Sequence, residues 1–400
     1  MTQNVDLPRK HLFDMPEGLI YLDGNSLGML PKGVGARVAE TIEQEWGQSL
    51  IRAWNSAGWM DLPRLLGDRL GRLFLNAPAG SVSVGDTLSI KVYQALTAAM
   101  KMRPDRSVIL SDSNNFPSDL YMAQGLIQTL GQGYRLETVP ADDIESALSE
   151  DVAAVLLTEV DYRTGRRLDA DRITRAVQDV GAVMIWDLAH SLGAVPVDMT
   201  ANGAEFAVGC TYKYLNAGPG APGFIYIRSD LPDGVQPALA GWMGHANPFA
   251  MDPAYEPGPA AERFRIGTPP IVQMRMLEAA LDVWDGVSMQ DLREASLALS
   301  ETFIVEVERR CPGLVLASPR DPQRRGSQVS FRFDHGYAAM QALIANGVIG
   351  DFRAPDIMRF GFTPLYIDQA DVMAAVDVLE RVIVDRQWDR PEFQTRSRVT

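Results

Sequence analysis

The chain has 400 residues, 46% of them hydrophobic, so it can bury a large core and is not expected to be disordered. Its 37 Lys and Arg against 51 Asp and Glu give a formal charge of −14, which argues against a general nucleic-acid binder. Cys210 and Cys311 are too few for a disulfide framework and suit a reducing compartment. The N-terminal segment lacks the apolar core of a signal peptide, and no apolar run is long enough to span a membrane. We therefore expect a cytoplasmic protein with no membrane or nucleic-acid partner.

Short apolar runs bounded by turn residues are the first regular feature along the chain, and they are typical of buried parallel strands. These runs lie at 107–110, 152–160, 183–186, 206–210 and 224–227. Amphipathic segments such as 169–180 lie between them and are typical of helices. This alternation predicts an α/β fold with a mostly parallel sheet that is covered by helices on both faces.

The C-terminal part has a different pattern. Apolar spacing over 288–310 and 372–383 predicts two amphipathic helices, the second capped by Asp368 or Asp371. The alternation at 327–333 predicts a half-exposed strand between them. This change of pattern predicts two domains, a large α/β domain and a smaller α+β domain. Their predicted ranges are 46–285 for the large domain and 1–45 with 286–400 for the smaller one.

Two reactive side chains directly follow predicted strands. Asp187, three residues before His190, lies where the ligand crevice of an open α/β sheet forms, so its carboxylate could bind a protonated ring nitrogen. The alternative is an Asp that caps the next helix. Lys213 follows the strand at 206–210, and a lysine desolvated by apolar neighbours is a plausible Schiff-base amine. The alternative is a surface lysine whose stem lies along apolar surface.

The choice of lysine is narrow, because the chain has few of them. The lysines are Lys10, Lys32, Lys91, Lys101 and Lys213. Lys10 and Lys32 lie near the N-terminus, and Lys91 and Lys101 fall in, or directly after, a predicted helix over 88–100. Lys213 is therefore the strongest candidate for a reactive amine.

A polar segment at 85–91 precedes this helical pattern. It offers the hydroxyls of Thr87 and Ser89 and the backbone amides of Leu88 and Ser89, which are the groups that bind phosphate at a helix start. An ordinary N-cap would explain the same residues.

Two further positions could contact a small molecule. Phe116 could stack on a planar ring, and Asp119 could hold a polar substituent of that ring. The alternative is that 116–119 is a loop before a capped helix.

Arg359 is a lone charge in an apolar run. A buried arginine needs a partner, which would be either a substrate carboxylate or a structural ion pair.

Gly- and Pro-rich stretches complete the set. Residues 218–223 fit GxGxxG, but two prolines and a following strand argue against a dinucleotide loop and predict a turn whose backbone passes close to a ligand or partner chain. Trp242, His245 and Thr268 lie in similar stretches, which are either surface loops or pocket walls.

Together, the predicted amine, carboxylate, phosphate-binding turn, aromatic ring and arginine are the set of groups that pyridoxal phosphate (PLP) requires. No metal is expected.

These motifs make the chain resemble kynureninases of the bacterial form, which are fold-type I PLP enzymes. The matching segments are YLDGNSLG at 21–28, WNSAGW at 54–59, NFPSD at 115–119, WDLAH at 186–190, CTYKYLN at 210–216, GWMGH at 241–245 and MRFGF at 358–362. The resemblance therefore covers nearly the whole chain, and its most specific part is GWMGH combined with the N-terminal GNSLG.

The resemblance implies a role for each matching residue. Lys213 would bind PLP covalently, Asp187 would keep its ring nitrogen protonated, and Tyr212 would join Lys213 as a catalytic residue. The other implied cofactor contacts are Leu88, Ser89, Phe116, Pro117, Ser118, Asp119, Thr158, His190, Tyr212, Trp242 and Thr268. Of these, Trp242 and Thr268 would enter the site from the second subunit of a homodimer. Arg359 would bind the substrate α-carboxylate, helped by Asn25 and Ser26.

The implied reaction is hydrolysis of L-kynurenine to anthranilate and L-alanine in tryptophan breakdown. Lys213 would move the Cα proton and Tyr212 would protonate the β-carbon. Trp54 or Asn55, together with Thr268, stand where forms that prefer the 3-hydroxylated substrate have His and Asn, so the resemblance favours unsubstituted kynurenine.

Two alternatives remain open from the sequence. One is another fold-type I enzyme, such as a cysteine desulfurase or selenocysteine lyase, which would need a reactive cysteine on a mobile loop. The other is a binding or regulatory protein built on the same fold.

Overall fold

The computed structural model describes residues 6–131, 133–231 and 235–395. The strands are β1 Ile20–Tyr21, β2 Val82–Val84, β3 Val108–Asp112, β4 Arg135–Val139, β5 Val152–Thr158, β6 Val183–Asp187, β7 Phe206–Cys210, β8 Gly223–Ile227, β9 Val315–Leu316, β10 Gln328–Arg332, β11 Val348–Ile349, β12 Asp351–Arg353 and β13 Ile357–Gly361. The α-helices are α1 Val34–Glu40, α2 Ala53–Ser56, α3 Leu62–Leu70, α4 Leu88–Met102, α5 Pro117–Leu130, α6 Ala170–Asp179, α7 Met199–Asn202, α8 Ile271–Ala280, α9 Met289–Arg310, α10 Gly336–Ala345 and α11 Gln369–Val384.

The large sheet has the strand order β2-β8-β7-β6-β5-β3-β4. Strands β4, β3, β5, β6 and β7 are parallel, so the predicted mostly parallel sheet is confirmed. The prediction of a parallel strand at 224–227 is wrong, because β8 is antiparallel to both β7 and β2. A short loop at 211–222 joins β7 to β8, and without a crossover helix the chain can only return in the antiparallel direction.

Helices cover both faces of this sheet, as predicted. Alternate residues of β6 belong to different apolar clusters: Ile185 packs in the cluster that includes α4 and α5, whereas Met184 and Trp186 pack in the one that includes α3, α6 and α8. Burial on both faces explains why the central strands read as continuous apolar runs. Within 6–131, 133–231 and 235–395, no helix combines the length and the apolar character needed to cross a bilayer.

The second sheet, β12-β13-β10-β9, is antiparallel. The predicted helices α9 and α11 are confirmed, and Asp368 caps α11 in a reciprocal pair with Asp371. The prediction of a half-exposed strand at 327–333 is wrong, because the first four residues of β10 are all buried. Gln328 explains part of this burial, since its Nε2 donates to the carbonyl oxygens of Tyr162 and Arg163 beyond β5.

The N-terminal segment joins the C-terminal part through the parallel pairing of β1 with β11. The Arg9 guanidinium also donates to the carbonyl oxygens of Val283 and Asp285, at 2.7 and 2.9 Å. The division into domains at about 45 and 285 stays a prediction.

Candidate active site

The carboxyl ends of the parallel strands meet at one edge of the large sheet, where ligands bind in open α/β folds. Strand β6 ends at Asp187, which pairs in register with Thr158 at the end of β5. The loop after β7 carries Lys213, whose Nζ lies 2.9 Å from Nε2 of His190 in the loop after β6. Loops that follow adjacent strands therefore bring the predicted amine and the predicted histidine into contact.

Two buried carboxyl groups lie at this edge. Asp187 Oδ1 accepts a hydrogen bond from the Ala189 amide at 2.7 Å, so the local capping role is also present. The Asp187 and Asp119 carboxyl groups interact electrostatically: burial raises the pKa of both groups, and the Asp187 charge raises that of Asp119 further. The Lys213 charge partly offsets this rise for Asp187. Such a pair has an unmet preference for a positive charge, which a protonated ring nitrogen would supply.

The surroundings of Lys213 suit a proton-transferring amine. Burial lowers the pKa of His190 well below its ordinary value, and the Lys213 charge lowers it further, so the imidazole is neutral and its Nε2 can accept from Lys213. Among the described residues, His190 Nδ1 is buried with no hydrogen-bond partner. The rings of Phe116 and Tyr212 lie 6.0 and 5.9 Å from Lys213 Nζ.

The first turns of α4 and α5 lie side by side. Ser89 Oγ is 2.9 Å from Ser118 Oγ, and Thr87 caps α4 by accepting from the Ile90 amide at 3.5 Å, so the ordinary N-cap is also present. Gly223 starts β8 against this turn: a Cβ there would lie 2.8 Å from the Leu88 nitrogen. The close backbone approach predicted for 218–223 is thus to α4 of the same chain. Amides and hydroxyls gathered at adjoining helix starts suit a phosphate group.

Asn115 was not among the residues singled out from the sequence, but it connects several of them. Its Oδ1 accepts from Thr158 Oγ1 at 2.5 Å and from the Phe116 amide at 2.8 Å, and its Nδ2 donates to Ser111 Oγ at 3.1 Å. The Phe116 ring, 40% exposed, packs edge to face on Tyr162. Asn115 therefore fixes the position of Phe116 relative to Thr158. Its place between β3 and Phe116 is the sequence feature from which this role could have been predicted.

Arg359 is buried in the middle of β13, opposite Asp351 in β12. Its guanidinium contacts the Asp351 carboxylate, donates to Ser26 Oγ at 3.0 Å and donates to the Tyr162 carbonyl oxygen at 2.6 Å. The structural ion pair considered from the sequence is therefore present. Among the described residues, however, Arg359 Nε has no partner, so a donor remains for a substrate carboxylate.

The N-terminal segment connects Arg359 with Lys213. Ser26 Oγ donates to Asp351 at 2.8 Å, and the Gly28 amide donates to the Tyr212 carbonyl oxygen at 2.8 Å. Position 28 needs glycine, since a Cβ there would lie 2.3 Å from the Lys213 carbonyl oxygen. Asn25, fully buried beside them, has no hydrogen-bond partner for either amide atom among the described residues. Unmatched polar atoms at this position suit a polar ligand.

Trp242 lies apart from this group, whereas Thr268 lies near the start of α4. The Trp242 ring is 42% exposed and packs edge to face on the exposed Phe249 ring, at 5.8 Å between centroids. Thr268 lines a small groove with Asp86 and Lys91 of the same chain. The structure therefore does not bring Trp242 of the described chain beside Lys213 in the way that it brings Phe116 and Tyr212.

The two cysteines do not form a reactive thiolate. Both are buried, and burial raises the pKa of Cys210 and raises that of Cys311 to about 11. A cysteine nucleophile needs an exposed site that favours the thiolate. The geometry thus gives no support to the desulfurase alternative.

Two solved structures superpose on this chain over more than nine-tenths of its length. A cysteine desulfurase from Thermococcus onnurineus NA1 superposes with a TM-score of 0.79 over 95% of this chain and 99% of that chain, at 18% identity. C-DES with glycine covalently linked to its PLP cofactor superposes with a TM-score of 0.80 over 93% and 99%, at 19% identity. At these identities the likeness shows the fold alone, which is that of the fold-type I PLP-dependent enzymes.

Comparison with sequence relatives identifies the family within this class of PLP-dependent enzymes. Residues 292–379 match the family model of the kynureninase C-terminal domain. The kynureninases of Burkholderia pseudomallei (strain 1106a) and Pseudomonas fluorescens are 49% and 48% identical to this chain, over 98% of the chain and 96% of each relative. The chain belongs to the kynureninase family, which confirms the resemblance found from the sequence.

Proposed function

We propose that this protein is a PLP-dependent enzyme that hydrolyses the Cβ–Cγ bond of L-kynurenine to give anthranilate and L-alanine. The observation that carries the proposal is the juxtaposition of the Lys213 amine with His190 and the buried Asp187–Asp119 pair. This group lies in a chain that is 49% identical to a kynureninase over 98% of its length.

The residues at the sheet edge fit PLP. Asp187, with Asp119, would hold the ring nitrogen, and the unpartnered Asp119 Oδ2 and His190 Nδ1 are groups that a polar ligand could satisfy. The Phe116 ring would stack on the cofactor ring, and Pro117 and Ser118 at the start of α5 would lie beside Phe116. Thr158 would contact the polar edge of the cofactor on the opposite side. The Leu88 and Ser89 amides at the start of α4 would bind the phosphate. When bound, PLP withdraws electrons from the substrate carbon.

Two side chains would move protons. Lys213 Nζ would attach the cofactor and then carry the Cα proton, with neutral His190 accepting a hydrogen bond from it. Tyr212 would protonate the β-carbon, because its neighbour Cys210 and burial raise the pKa of Tyr212 and keep the phenol protonated.

Arg359 would bind the α-carboxylate through Nε and the face shared with Ser26 and Asn25. We expect Arg359→Gln to lower kcat/KM for kynurenine about 10²-fold, since a charge-assisted hydrogen bond contributes about 1.5–3 kcal/mol. Steady-state kinetics would measure this, with Arg353→Gln as the matched control, because Arg353 also pairs with Asp351 at 2.8 Å. Equal losses in the two variants would mean that Arg359 acts only through its ion pair.

We further propose a homodimer in which Trp242 and Thr268 of one subunit complete the site of the other. Exposed apolar side chains such as Trp46, Ile51 and Phe249 support an additional contact surface, since they are 61%, 77% and 63% exposed.

The dimer is testable by subunit complementation. Differently tagged Lys213→Ala and Trp242→Ala chains would be co-expressed and the hybrid purified through both tags. One site of each hybrid would be intact, so about half of the parent's activity is expected if Trp242 acts across the interface. If Trp242 served its own subunit, both sites would be impaired and the hybrid would be as inactive as the variants.

The test of the proposed reaction is the appearance of fluorescent anthranilate from L-kynurenine with purified protein and PLP. The 3-hydroxylated substrate, assayed in parallel, should react more slowly, and L-cysteine should release no sulfide. Sulfide with no anthranilate would favour the desulfurase alternative. Cofactor binding without turnover of either substrate would favour a binding or regulatory protein.

A further inference from the structure

Lys91 is the most deeply buried lysine of the described chain, with no exposed surface, although its place in a helix marked it from the sequence as an unremarkable residue. Its ammonium group lies 3.1 Å from Asp86 Oδ2, 3.1 Å from Gln94 Oε1 and 2.8 Å from the Phe264 carbonyl oxygen. All three N–H donors of the ammonium therefore have an acceptor. Such complete pairing is what a buried charge requires.

These acceptors belong to two separate parts of the chain. Asp86 directly precedes the Thr87 cap of α4 and has a left-handed backbone with φ of 55°, which a non-glycine residue rarely adopts without outside support. Gln94 lies in α4 one turn after Lys91. Its Nε2 donates to the same Phe264 carbonyl oxygen at 3.1 Å. Phe264 ends the 3-10 helix that precedes the loop with Thr268. Lys91 thus fastens the start of α4 to the loop at 265–270.

We propose that Lys91 is a positioning residue that fixes the phosphate-binding turn at Leu88 and Ser89 against the Thr268 loop. This inference rests on the proposed function, because it assumes that PLP phosphate binds at the start of α4. Lys91 itself does not touch the phosphate. It determines where the amides point by holding Asp86 at the entry to the helix.

The test compares PLP with pyridoxal, which has the same ring and aldehyde but no phosphate. Both would be titrated into apoprotein and followed by the absorbance of bound cofactor. In Lys91→Met we expect the Kd for PLP to rise about 10–100-fold, as is typical when a supporting residue is lost, and the Kd for pyridoxal to stay unchanged. Lys101→Met, on the exposed part of the same helix, is the matched control and should change neither value.

Asp86→Asn is the second variant, and it keeps a side chain of the same shape in case Lys91→Met does not fold. It should also weaken PLP selectively, by a smaller factor. Circular dichroism of each apoprotein confirms that the titrated protein is folded. Equal weakening of PLP and pyridoxal, or no weakening of either, would overturn the inference. A parent protein that binds neither compound would contradict the proposed function itself, and with it the role of Lys91.

Discussion

Replacing Lys213 with alanine is expected to lower anthranilate formation at least about 10⁴-fold, because this amine would both attach the cofactor and carry the Cα proton. No other described lysine can take its place at the sheet edge. Lys91, which is fully buried, has all its donors bound within the protein. The measurement is the steady-state rate of anthranilate release at saturating PLP and kynurenine.

Lys32→Ala is the control for this variant, since Lys32 is exposed and lies outside the group around Lys213. Its turnover should equal that of the parent. An added primary amine such as methylamine should partly restore the Lys213→Ala variant, because the missing group is a proton-accepting amine. Substantial turnover by Lys213→Ala without added amine would show that another base performs the proton transfer.

Asp187→Asn is expected to reduce kcat about 10²–10³-fold while leaving PLP bound. A neutral amide keeps the size of the side chain and its contact with the Ala189 amide, but it does not stabilise a protonated ring nitrogen. Stopped-flow kinetics should therefore place the loss in removal of the Cα proton and not in substrate binding.

The matched control is Asp112→Asn, which removes a carboxylate from the same sheet edge at the end of β3. Asp112 accepts from the Asn114 amide at 3.0 Å, as Asp187 does from Ala189, so the two substitutions perturb similar turns. The control should keep nearly the parent's kcat. Equal rates for both variants would mean that Asp187 acts only as a turn-capping residue.

Features set by neighbouring residues were predictable from the sequence. The apolar runs at 152–160 and 183–186 gave the buried strands β5 and β6, because each run is long enough to be covered on both faces. Asp368 and Asp371 marked the start of α11 because capping depends on residues only three apart. The strand ends then placed Asp187 and the Lys213 loop at one sheet edge without further information.

Features that depend on distant partners were not predictable in this way. The direction of β8 follows from how its loop closes, and an apolar run has the same appearance in either direction. Burial of Gln328 depends on carbonyl oxygens more than 160 residues away. The same holds for Lys91, whose acceptor at Phe264 is 173 residues distant. The role of Asp351 was not predicted, because only the pairing of β12 with β13 shows that it faces Arg359.

The central claim is that Lys213 carries the cofactor, and peptide mass spectrometry tests it most directly. The holoprotein would be reduced with sodium borohydride, digested and analysed for the mass of a pyridoxyl phosphate group. The predicted result is one modified peptide, with the added mass on Lys213 and none on Lys91 or Lys101. An unmodified Lys213 peptide, or the added mass on a different lysine, would contradict the account.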